Sequence, residues 1–284
     1  MINYAVCPLS VVSVRSAPAD KSELLTQLLF GECVEMYETR GKNWVKIRCV
    51  TDNTFGWVLT NQLLSITPSE KKLYRDFYAF SLEFISPIMS AEHSLPITIG
   101  ARLPDFDGMR SNVGGQVLTF SGQAVFPKDL PASAELIIKF ARRYLYAPYL
   151  HGGRSPFGID AGALVQLIFS FVGIALHRFP EEQVRQGHTV DFVQQAQPGD
   201  IAFFENKAGK IVHTGILLPD EKIIHAYGQV RIDRIDHYGI YDETQKKYTH
   251  KLRIVRRFLE KQNMDVAQKT EIKQEVPENQ IGLF

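Results

Sequence analysis

Residues 154–169 read RSPFGIDAGALVQLIF. A Gly-Ile-Asp turn opens an apolar run with helical spacing, and Asp160 is placed to cap the free N–H groups of that helix. A side chain in the first turn after such a cap sits where free N–H groups and the helix dipole favour an anion. The residue in that place is Ala161, which has no atom to donate, accept or attack. Two histidines stand downstream, His213 in VHTGI and His225 in IIHA, twelve residues apart across a turn at Pro219 and Asp220. Taken by themselves they fit ordinary strand histidines better than a paired acid–base device.

The elements that must position these residues follow from periodicity. Leu136, Phe140 and Tyr144 recur at four-residue spacing beside Ile137, Ala141 and Leu145, which predicts an amphipathic helix opening at Asp129 and ending at Pro148. Leu164, Val165, Ile168, Phe169 and Val172 give a second helix that stops at Gly173. A short third helix, PEEQVRQG, opens on Pro180 with Glu181 and Glu182 in its first turn. Strands then dominate: DIAFFEN, KIVHTGILLP, KIIHAYG, VRIDRID and LRIVRRFL. Upstream, VVSVR, CVEMYET, NWVKIRCV and FGWVLT alternate apolar and polar residues between Gly- and Asn-containing turns, the pattern of a small barrel.

Four fragments in fixed order carry a resemblance: YLYAPYLHGGRSPFGIDAGALVQ, QPGDIAFFEN, IVHTGILL and KIIHAYG. The stretch of roughly residues 132–258 resembles the NlpC-type cell-wall peptidases, papain-like cysteine enzymes often preceded by bacterial SH3 domains. The implied fold is α+β, with two SH3-like barrels over 1–66 and 67–128, a papain-like domain over 129–259, and a polar extension over 260–284. The resemblance aligns the nucleophilic Cys with Ala161, the base with His213 and the orienting third residue with His225. It further implies substrate-contacting roles for Asp160 and Tyr149, with Gly162, Arg154 and His151 beside them. It implies peptidoglycan stem peptides, cut between D-glutamate and the following diamino acid, as the substrate class.

No thiol remains to attack. The three cysteines, Cys7, Cys33 and Cys49, all lie in the N-terminal fifth of the chain and are expected to be small buried hydrophobes. The neighbours depart too: Gly162 stands where Ser is usual, Ala163 where Gly is common, and His151 where Trp is usual. Several departures around one site point to a family member that is inactive as a γ-D-glutamyl-diamino acid endopeptidase, or a natural pseudoenzyme that binds muropeptides. A metal held by His151, His213 and His225 would lack an implied fourth ligand, so neither metal nor cofactor is expected. A net charge of +1 argues against a nucleic-acid partner, and no apolar run is long enough to span a bilayer. Unpaired thiols and an N-terminus unlike a secretory leader lead to an expectation of a cytoplasmic protein.

Overall fold

The computed structural model describes residues 3–191 and 193–259. The expected polar extension therefore lies outside the described residues. The chain opens with a seven-stranded antiparallel sheet built from strands between Asn3–Val6 and Leu64–Ile66. Alternation works as read: Val12 and Val14 of VVSVR and Val45, Ile47 and Cys49 of WVKIRC point into one core. Cys7, Cys33 and Cys49 are buried there and in the adjoining core, and all three thiols are free. Burial pushes the Cys7 thiol up to about 12 and that of Cys33 to about 11, so neither forms a thiolate near neutrality.

The second β unit starts with a helix that alternation did not predict. α1 (Pro68–Asp76) carries a capping box in which Thr67 accepts from the Glu70 N–H and Glu70 accepts from the Thr67 N–H. A four-stranded and a three-stranded sheet follow. One hydrophobic cluster joins Val6, Phe30 and Ile66 of the first unit to Tyr74, Leu103 and Phe120 of the second. The two units thus share a core rather than meeting at a solvated seam.

α2 (Ala134–Arg142) starts later and ends earlier than periodicity predicted. Its cap is Ser133, whose hydroxyl accepts from the Leu136 N–H, and Asp129 instead closes a 3-10 turn over Pro127–Asp129. The chain leaves the helix before Pro148, with Tyr146 at φ +70°. α3 (Ala161–Ser170) is buried along nearly its whole length, as a helix that is apolar all round must be. α4 spans Pro180–Gln183.

Six strands of the C-terminal sheet run Ile201–Glu205, Ile211–Leu218, Lys222–Tyr227, Gln229–Ile235, Gly239–Asp242 and Lys247–Arg257, each paired antiparallel to the next, and His188–Val190 joins the last of them as a seventh. The last of the six also pairs with the first, so the sheet closes into a barrel. Period-two alternation gives the strands two apolar faces. Ile201, Phe203, Ile216, Leu218, Ile224 and Ala226 pack outward against α2 and α3. Ala202, Phe204, Leu217, Ile223, Ile235 and Val255 fill the interior.

Candidate active site

Asp160 is the N-cap of α3, and its two oxygens meet four protein donors. Oδ1 accepts from the Ala163 N–H at 2.8 Å and from Arg178 Nη1 at 2.8 Å; Oδ2 accepts from the Gly152 N–H at 3.0 Å and from Arg178 Nη2 at 2.6 Å. Arg178 is fully buried and donates its Nε–H to Thr26 Oγ1 of the first barrel at 2.8 Å. Asp160 thus fixes the turn, the helix start and a buried cation together.

Ala161 follows at the first position of α3 and lines a cavity of about 890 Å³ with Glu23, Tyr149, His151, Gly162 and His213. His213 and His225 come from neighbouring strands. His225 pairs across from Gly215, two residues beyond His213, so both side chains fall on the interior face. A side chain at Gly215 would bring its Cβ within 2.9 Å of His225 Cβ; glycine there makes room for the imidazole.

The rings form a hydrogen-bonded line. His213 Nε2 lies 2.8 Å from His225 Nδ1, and His225 Nε2 lies 2.9 Å from Asp233 Oδ2. Arg231 Nη2 donates to Asp233 Oδ1 at 2.7 Å. Burial alone would raise the Asp233 carboxyl, but its bonds to His225 and Arg231 hold it below the usual range, so it is an acceptor only. That assigns the protons along the line: His225 donates from Nε2 and accepts at Nδ1, and His213 donates from Nε2. His213 Nδ1 is left with a free lone pair, the condition of a general base. Burial, with the neighbouring imidazoles His225 and His250 adding to it, holds His213 well below the ordinary imidazole range and therefore neutral. Burial also lowers His225, against the pull of Asp233.

One of the expected contacts differs. Arg154 does not reach the cavity. It is buried and paired bidentately with Glu32 of the first barrel, at 2.7 and 3.0 Å, and donates to the Gln27 carbonyl. It is a strut between units, not a ligand for a substrate carboxylate. His151 lies at the exposed rim, 3.0 Å from Glu23, and is not part of the imidazole group, which gains His250 instead. Tyr149 lines the cavity, half exposed. Gly162 is required by packing, since a Cβ there would stand 2.7 Å from the Arg178 carbonyl oxygen. Sequence reasoning missed Asp233, Arg178 and His250. Only Asp233 had a local signal, as an inward-facing position of VRIDRID two residues past the partner of His225.

A helix start that shares a cavity with a buried His–His–Asp line, on a closed antiparallel barrel behind a β-rich N-terminal unit, defines a papain-like fold with an SH3-like domain ahead of it. The chain carries an NlpC/P60 family domain over residues 146–253 and, ahead of it, a bacterial dipeptidyl-peptidase Sh3 domain over residues 14–63. It is 27% identical over 231 residues to a gamma-D-glutamyl-L-lysine dipeptidyl-peptidase of Bacillus cereus, covering 72% of this chain and 68% of that protein. It is 33% identical over 162 residues to a gamma-DL-glutamyl hydrolase of Bacillus subtilis, covering 54% of this chain but only 37% of that protein. The crystal structure of a NlpC/P60 family protein from Bacillus cereus has the same fold, with a TM-score of 0.77 at 20% identity over 90% of this chain and 100% of that one.

Proposed function

We propose that this chain binds peptidoglycan stem peptides of the L-Ala-γ-D-Glu-diamino acid type in the Ala161 cavity and does not hydrolyse them. The observation that carries this is the methyl group of Ala161 at the helix start beside an intact base line. The base has no thiol to deprotonate, and the chain's three cysteines are buried in the N-terminal β units. Without a nucleophile no acyl-enzyme forms, whereas the features that would hold a peptide remain: a large cavity, Tyr149, and a rim of Glu23 and His151. Gly162 favours natural divergence over a single exchange, because the usual Ser would press on the Arg178 backbone. The γ-glutamyl chemistry in the names of the two relatives supports the ligand class.

The test uses L-Ala-γ-D-Glu-diaminopimelate. Calorimetry on the unaltered chain should give saturable binding, with no product on prolonged incubation. Ala161→Cys should then release L-Ala-γ-D-Glu. Absence of binding would remove the ligand assignment, and turnover by the unaltered chain would remove the claim of inactivity.

A further inference from the structure

Three imidazoles converge inside the barrel, and the base line accounts for two of them. His250, on the strand Lys247–Arg257, stacks on His213 with ring centroids 4.1 Å apart and planes 25° apart. Its centroid lies 5.8 Å from that of His225. One ring nitrogen from each of His213, His225 and His250 lies within 4.8 Å of the other two. Two of the rings are also held from outside. Asp233, anchored by Arg231, binds His225 Nε2, and the Thr249 hydroxyl lies 2.9 Å from His250 Nδ1. A carboxylate behind an imidazole fixes the tautomer that leaves the other nitrogen free to ligate, and it raises that nitrogen's basicity.

We propose that His213, His225 and His250 bind a divalent transition-metal ion of the zinc type. An all-imidazole set suits zinc, copper or nickel and disfavours magnesium and calcium, which require oxygen ligands. Three protein ligands leave a fourth position for water or for a ligand group. Asp233 and Asp242 share the single Arg231 guanidinium, which leaves one net negative charge behind His225. Access exists from two sides: His213 borders the Ala161 cavity, and His250 borders a separate cavity of about 880 Å³ with Glu205, Tyr238 and Tyr248.

Binding requires two rearrangements, the first being that His250 turns out of its 4.1 Å face-to-face stack on His213 so that both in-plane lone pairs can point at one ion. Nitrogens sharing a tetrahedral ion at about 2.0–2.1 Å stand roughly 3.3 Å apart, so the 2.8 Å contact between His213 and His225 must open by about half an ångström and give up its proton. Metal loading and the base line therefore exclude one another. In a chain with no nucleophile this exclusion sacrifices no turnover. The metal site goes beyond peptide binding and does not depend on it.

The experiment is a zinc chloride titration of the full chain after chelator treatment, followed by calorimetry and by imidazole ¹⁵N shifts. One ion per chain should bind, and the resonances of His213, His225 and His250 should move together. His250→Ala should weaken binding at least tenfold and Asp233→Asn about 10- to 100-fold, while His93→Ala, at an exposed position in the N-terminal units, should leave it unchanged. No saturable one-ion binding, shifts confined to other histidines, or undiminished affinity in a folded His250→Ala would overturn the assignment. Should the variants not fold, the shifts in the unaltered chain decide. Peptide binding is measured separately without zinc, so either proposal can fail without the other.

Discussion

At the scale of single residues, position 162 does more than its lack of a side chain suggests. Gly162 lies under the backbone of Arg178, whose guanidinium is locked to Asp160 and Thr26, so the carbonyl above Gly162 cannot easily withdraw. Gly162→Ser should therefore cost about 1–3 kcal/mol through overpacking. In urea unfolding, Ala161→Cys should keep the parent midpoint, and the double variant with Gly162→Ser should fall below it; equal midpoints would show that the Arg178 carbonyl yields. Asp160 as a cap and Ala161 as the first helical residue were legible in the sequence because capping is a local code. The pairing of Asp160 with Arg178, eighteen residues on, was not, since nothing in the spacing marks a buried arginine.

At the scale of elements, the inward faces of the barrel strands make the protein sensitive to acid. Burial, chiefly, pushes the His250 imidazole down to about 4, and burial lowers His213 and His225 as well. The unfolded chain binds these protons from about pH 6.5 downward, and the folded chain resists them. Unfolded protons then exceed folded ones, so stability rises with pH across this window. It is fully present above about pH 6.5 and lost as pH falls toward 4, with His250 alone contributing on the order of 2–3 kcal/mol. Urea midpoints at pH 7.5 and pH 5 should differ accordingly, and a flat profile between them would contradict the buried, neutral imidazoles. The strands themselves were legible from alternation, down to the interior placement of His213 and His225. Closure of the sheet was not, because it depends on Lys247–Arg257 returning to Ile201–Glu205 across the whole domain. α1 was missed although its Thr67–Glu70 capping box is written in the sequence; the β pattern on either side masked it.

At the scale of the whole molecule, polar struts tie the first barrel to the papain-like domain. Arg154 pairs with Glu32, Gln166 donates to Asp52, and Arg178 donates to Thr26. Each joins residues more than a hundred positions apart, which is why a loop arginine read as a ligand proved to be part of the frame. The Arg154–Glu32 pair is buried on both sides, so removing one partner strands the other charge. Glu32→Gln should destabilise the chain by about 3–5 kcal/mol and lower its calorimetric melting temperature. A drop worth under about 1 kcal/mol would mean that water or a neighbour readily takes over the arginine.

The burial of Cys7, Cys33 and Cys49 has a practical corollary. A sulfhydryl introduced at position 161 would be the lone one open to alkylating reagents, so a fluorophore or cross-linker could be attached there with no background from the rest of the chain. The alanine at this helix start thus offers a clean attachment point for a reporter of whatever enters the cleft.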